Sequence, residues 1–167
     1  AEILLDMTGL QTVERSDTIS LAALTEEVFC DLDPVAEKHQ IRLIQAECDC
    51  TVTGSYILLY RAVYNLVENA IKYNRPSGSV TVSIHSAESA VLEVTDTGIG
   101  ISPENQEKIF DPFYRVDKSR SRAMGGAGLG LALVSEIARQ HNGQVKVTQS
   151  SEKGSTIALI LPKSTDY

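Results

Sequence analysis

The chain has 167 residues, 43% of them hydrophobic and 22% charged, enough for one domain whose core must be largely aliphatic, because Trp is absent and aromatics make up 5%. A formal net charge of −7 argues against wholesale nucleic-acid binding. No apolar run is long enough to span a membrane, no signal peptide is visible, and the three cysteines lack any CxxC or Cys/His spacing for zinc.

Residues 1–12 carry a helical apolar period (Ile3, Leu4, Met7, Leu10) and read as the tail of a helix. With Ala1 in place of Met, the sequence is expected to be a piece of something longer. "DTISL" (17–21) suits a short strand, and helical spacing runs from Leu24 through Val28 and Leu32 to Val35. "IRLIQAE" (41–47) reads as a strand, with Cys48 and Cys50 on one face of a strand and Cys30 in the helix before it. The thiols are read as reduced in a cytosolic protein, a redox role being the alternative. Residues 55–73 form the clearest helix, capped by Ser55 after Gly54. "VTVSIH" (80–85) and "VLEVTD" (91–96) alternate as a hairpin pair. Ser102-Pro103-Glu104 predicts a helix start. Residues 111–127 lack periodicity and read as a long loop containing a basic cluster, Arg115, Lys118, Arg120 and Arg122, opposed only by Asp117. That cluster fits either a small anion or a solvated loop. A helix follows from about Leu129 to His141 and stops at Gly143, and "QVKVTQ" and "TIALILP" finish as strands. The order predicts an α+β fold, a two-layer α/β sandwich of helices on one face of a mixed, mostly antiparallel sheet.

The middle of the 55–73 helix holds "NLVENAIKYN" (65–74). Asn is a poor helix former, because its amide competes with the backbone for hydrogen bonds. At roughly 100° per residue, Tyr56, Leu59, Tyr60, Val63, Leu66, Val67, Ala70 and Ile71 share one arc. Asn65, Glu68, Asn69 and Lys72 fall opposite it. A plain solvated face accounts for Glu68 and Lys72 and less well for the two asparagines. An amide oxygen suits Mg²⁺, which keeps most of its waters and leans on substrate phosphates. A lysine one turn on could meet a phosphate as a point charge. "DTGIG" (96–100) ends a strand on Asp96, whose carboxylate could accept from an exocyclic amine such as adenine's. Gly98 and Gly100 would let a flat base approach, although a simple Asx turn fits the same residues. "GGAGLGL" (125–131) opens a helix, where backbone N–H groups bind phosphate, or else serves as a hinge. It is neither a Walker A nor a GxGxxG loop.

Together with "FDPFYR" (110–115), these motifs resemble, over about residues 17–162, the ATP-binding catalytic domain of bacterial sensor histidine kinases in the gyrase-type ATPase superfamily. The resemblance implies residues 1–12 as the tail of a dimerisation helix and 13–167 as the catalytic domain, with a flexible ATP lid over about 111–127. It implies Mg²⁺ coordination by Asn69, support of metal and phosphates by Asn65, and a phosphate contact from Lys72. Tyr73 would line adenine and Asp96 would read its amine, with Gly98, Gly100 and Ile101 beside it. Phe110 and Phe113 would anchor the lid, and Arg115 would reach the terminal phosphate. Gly126, Gly128, Leu129 and Gly130 would cradle phosphates, and Gly154, Ser155 and Thr156 would lie near the base. The implied cofactors are ATP and Mg²⁺. The implied partners are the dimerisation (phosphoacceptor) domain of the same kinase and a response regulator, with no nucleic acid. The implied location is the cytoplasmic side of a membrane-anchored bacterial sensor, any membrane contact lying outside this chain.

Hydrolysing members of that superfamily carry a glutamate four residues before the metal asparagine, and here the position is Asn65. An amide cannot take a proton from water, and Glu68 is offset by about 60° on the helix. Slow hydrolysis is expected. The phosphoacceptor pattern, a histidine followed by an acidic residue and five positions on by proline, matches none of His39, His85 and His141. All three read as structural, so the chain alone is expected to bind ATP without phosphorylating itself. Two alternatives stay open: a serine kinase of the anti-sigma type, and a degenerate domain that only docks partners.

Overall fold

The computed structural model describes residues 17–112 and 130–164. The expected elements at 1–12, and the lid from 113 onward, lie outside the described residues.

Strand β1 (Asp17–Ser20) leads directly into helix α1 (Leu21–Lys38), where Ser20 Oγ accepts from Ala23 N–H. Leu21, Leu24, Val28, Leu32 and Ala36 form the buried stripe of α1. Each buried leucine contributes about 1.5–3 kcal/mol. That stripe outweighs the interior proline, Pro34, which costs about 3 kcal/mol. The helix ends with Gln40 in the left-handed region (φ 60°) and Ile41 N–H donating back to Ala36 O at 2.8 Å. Strand β2 (Arg42–Gln45) follows. Strand β3 (Thr51–Gly54) is an element that the sequence reading does not contain, because its single apolar residue, Val52, shows no alternation. Cys48 and Cys50 are not on a strand: both lie in the turn before β3, Cys48 exposed and Cys50 buried.

Helix α2 (Tyr56–Lys72) is capped by Ser55, whose Oγ accepts from Leu58 N–H at 3.3 Å. It buries Leu59, Val63, Leu66, Val67, Ala70 and Ile71, as its spacing requires. Tyr56 and Tyr60 donate to Glu27 and Asp31, closing the seam with α1. Strands β4 (Ser79–Ser86) and β5 (Ser89–Asp96) form the expected hairpin. Ser102 does not start an α-helix. Two single 3₁₀ turns, Pro103–Asn105 and Lys108–Phe110, take its place. Only Ile109 is buried there, so no apolar stripe supports a longer helix. Helix α3 (Gly130–Gln140) ends in a Schellman motif whose left-handed residue is Asn142 (φ 61°) rather than Gly143. Gly143 is required for closeness instead, since a Cβ there would lie 2.1 Å from Ile160 O.

Strands β6 (Gln144–Ser151) and β7 (Gly154–Pro162) complete a five-stranded sheet of order β2-β4-β5-β7-β6, parallel only at β2–β4. A bulge interrupts β6 between Val147 and Gln149. Val80, Val82, Ile84, Leu92, Val94 and Leu159 are buried beneath the three helices. This is the predicted two-layer arrangement with a mixed, mostly antiparallel sheet. β3 stands apart, paired with β1 on one flank. It is held near the end of the described chain by Ser164 N–H donating to Thr51 O (3.0 Å) and by a 2.7 Å hydroxyl contact between Thr53 and Ser164.

Of the three histidines read as structural, His141 ties two helices together as a neutral ring. It is buried, its Nε2 accepts from Ser55 N–H at 3.0 Å, and Nδ1 faces Ile137 O at 2.8 Å. That pairing assigns the neutral, Nδ1-protonated tautomer and ties the end of α3 to the start of α2.

Candidate functional site

The asparagine stripe of α2 lies against the start of α3. Asn65, Glu68, Asn69 and Lys72 are all half-buried, so this is not a freely solvated helix face. Asn65 Nδ2 donates to Gly130 O at 3.5 Å. Among the described residues, the nearest atoms to a Cβ on Gly130 would be Asn69 Nδ2 at 3.8 Å, Asn65 Cγ at 3.9 Å and Asn65 Cβ at 4.0 Å. Those are ordinary contact distances. The packing of the described residues therefore does not demand glycine at 130, and a side chain there would fill the space over the two amides. Lys72 sits 3.8 Å from Glu68 in an i,i+4 pair, one turn beyond Asn69. Among the described residues no group of three or more His, Cys, Asp or Glu could hold a metal. A cation here would rest on an amide oxygen, water and a phosphate, a donor set that fits Mg²⁺.

Asp96 closes the other side. Period-two alternation along β5 buries Ala90, Leu92 and Val94 and carries Asp96 to the same face as the last member of the series. A carboxyl thus occupies the place of a core side chain. Burial pushes its pKa up, opposed by hydrogen bonds from Gly98 N–H and from Ser155. Asp96 Oδ1 accepts from Gly98 N–H at 2.8 Å, and Oδ2 accepts from the Ser155 hydroxyl at 3.0 Å. The Asx turn and the buried acceptor are therefore both present in one residue.

The two glycines of "DTGIG" are needed by the fold itself. A Cβ on Gly98 would lie 2.5 Å from Tyr73 O, which pins the turn against the end of α2. Gly100 has φ +78°, and a Cβ there would lie 2.0 Å from Ser151 O. Ile101 is half-buried against the core, its N–H donating to Ser150 Oγ at 2.6 Å. Tyr73 is the C-cap residue of α2, and Phe110 packs half-buried at the second 3₁₀ turn.

Asn65, Asn69, Lys72, Tyr73, Asp96, Gly98 and Gly130 thus gather around the C-terminal half of α2. Thr156 does not join Asp96. It pairs with Thr95 in register and bonds its hydroxyl at 2.9 Å, on the opposite side of the sheet. Ser155, the register partner of Asp96, takes the place beside the carboxylate. The resemblance put Ser155 near the base, and the pairing of β5 with β7 sets it against Asp96. Phe113, Arg115, Gly126, Gly128 and Leu129 lie outside the described residues.

Comparison with known proteins fits this geometry. The profile of the family described as "Histidine kinase-, DNA gyrase B-, and HSP90-like ATPase" matches residues 54–165. The sensor-like histidine kinase SenX3 of Mycolicibacterium smegmatis is 37% identical over 168 residues, covering 98% of this chain and 44% of SenX3. The sensor histidine kinase CusS of Escherichia coli O157:H7 is 34% identical, covering 92% of this chain and 32% of CusS. The chain thus spans less than half the length of these relatives. Among solved structures, the mycobacterial sensor histidine kinase MprB superposes with a TM-score of 0.74 at 28% identity, covering 90% of this chain and 99% of that one.

Proposed function

The chain belongs to the histidine kinase-, DNA gyrase B- and HSP90-like ATPase family, of the kind carried by sensor histidine kinases, and from that premise we propose that it holds Mg-ATP between α2 and α3 for transfer to a histidine elsewhere. The observation that carries this reading is the pair of half-buried amides, Asn65 and Asn69, facing a glycine that the packing of the described residues does not require.

In this reading adenine lies beside Tyr73 and Ile101, and Asp96 accepts from its exocyclic amine. Asp96 is well placed for that task, because Ser155 and Gly98 already fix its two oxygens. Asn69 gives an amide oxygen to Mg²⁺ and Asn65 steadies the metal–phosphate group. Lys72 turns from Glu68 to a phosphate oxygen. Gly126, Gly128, Leu129 and Gly130 give backbone N–H groups and clearance, Phe110 anchors the lid, and Arg115 meets the terminal phosphate. When bound, Mg²⁺ would neutralise charge on the phosphates during transfer.

The nucleophile is a histidine on a dimerisation domain of the same kinase, from which phosphate passes to a response regulator. The unprotonated nitrogen of its neutral imidazole forms the new P–N bond as the bond from phosphorus to the ADP oxygen breaks, and the proton on the other ring nitrogen passes to solvent. Asn65 stands where a water-activating base would be needed, and an amide cannot serve as one.

Calorimetry and labelled ATP test this. The chain should bind Mg-ATP, take up no label by itself, and transfer label slowly to a separately added dimerisation fragment, the rate being low because the link between them is cut. Asn69→Ala should lose most of the gain in affinity that Mg²⁺ gives. Full retention of that gain would refute the metal assignment, and acid-stable label on a serine would point to a serine kinase instead.

A further inference from the structure

Asn74 follows the helix that carries Asn65 and Asn69, and none of the roles above uses it. It is a buried polar residue, only 8% exposed. Its side chain closes a ring of hydrogen bonds across three elements. The N–H of Ser79, at the start of β4, donates to Thr97 Oγ1 at 3.0 Å. Thr97 Oγ1 donates to Asn74 Oδ1 at 2.8 Å. Asn74 Nδ2 then donates back to the carbonyl of Ser79 at 2.9 Å. Oδ1 also accepts from Arg75 N–H at 2.8 Å, so both acceptor sites of the amide oxygen are filled.

The surroundings are trimmed to admit this ring. A Cβ on Gly78 would lie 2.4 Å from Thr97 Oγ1 and 2.5 Å from Asn74 Oδ1. A Cβ on Gly98 would lie 3.2 Å from Asn74 Cα. Thr97 stands between Asp96 and Gly98, the residue whose N–H holds Asp96 Oδ1. Holding Thr97 therefore fixes both ends of the turn that aims the carboxylate. A constraint is needed there, because a desolvated carboxyl gains by swinging towards water.

We propose that Asn74 is a positioning residue for base selection: through Thr97 it fixes the Asp96–Gly98 turn, and so the direction from which Asp96 meets the exocyclic amine of a purine. The inference rests on the reading of Asp96 as the adenine acceptor. Asn69 lies more than a turn earlier on α2, so the metal side of the site does not depend on the ring. A residue that merely closed the loop would, when removed, weaken all nucleotides alike. A residue that aims Asp96 weakens ATP and leaves GTP, which offers a carbonyl at that position, nearly unchanged.

The test is competition of ATP and of GTP against a fluorescent nucleotide, with and without Mg²⁺, on the chain and on Asn74→Ala, Thr97→Val and Thr97→Ser. Asn74→Ala and Thr97→Val should each weaken ATP by about tenfold, the factor carried by one hydrogen bond of ordinary strength. The ATP-to-GTP ratio should narrow by the same factor, and the gain from Mg²⁺ should persist. Thr97→Ser keeps the hydroxyl and should keep the ratio of the unaltered chain. If Asn74→Ala does not fold, the Thr97→Val and Thr97→Ser pair decides. Equal loss for ATP and GTP, or an unchanged ratio in both disrupting variants, overturns the role of the ring while leaving Asp96 as the base reader. Failure of the unaltered chain to prefer ATP overturns the reading of Asp96 and the inference with it.

Discussion

Asp96 is held where folding alone would not choose to put a charge. Its pKa is raised above the usual carboxylate range by burial. The sign of the consequence follows from proton binding. Between the unfolded and folded pKa values the folded state binds more protons, so stability falls as pH rises through the folded value and the penalty is complete above it. Asp96→Asn removes the charge and keeps an oxygen for Gly98 N–H. The variant should melt higher than the parent at neutral pH, lose that advantage below the ordinary carboxylate pKa, and bind ATP poorly throughout. Thermal melts across pH with a nucleotide titration check this, and a neutral-pH melting point below the parent's would contradict it. The two asparagines of α2 were legible as a functional stripe because they break helix propensity. Ser155 and Asn74 were not legible in these roles, because their partners come from strand register and loop closure across 59 and 23 residues.

At the scale of elements, α2 carries the site on one face and the core on the other, so whatever steadies the helix steadies both. Its start depends on Ser55, whose hydroxyl caps Leu58 N–H and whose own N–H is taken by His141. Ser55→Ala removes the cap alone and should cost about 1 kcal/mol. For a domain of this size that is a fall in melting temperature of roughly 2–4 °C. No change in the melt would show that the cap is dispensable. Elements with a long apolar period, α1, α2, α3 and the β4–β5 hairpin, could be read from sequence because burial of one face dictates them. β3 and the 3₁₀ turns could not, since β3 buries one apolar side chain, Val52, and the two turns together only Ile109, and they take their shape from neighbours.

For the whole molecule, the layout separates the sheet that builds the core from the small β1–β3 ribbon beside it. β3 is flanked by β1 on one side and by Ser164 on the other. A load applied between Asp17 and Ser164 would therefore fall first on β3 and the few bonds at its two flanks. Once those bonds yield, the load passes through Pro162 into β7 and its longer pairings with β5 and β6. Pulled by those two points in an optical trap, the domain should yield in two steps. A weak early rip would free the ribbon, and a stronger one would break the sheet. A single rip, with ribbon and sheet failing together, would show that the ribbon is no mechanical fuse. In such a fold strain arriving along the chain can be spent on a four-residue strand while the walls of the site keep their shape.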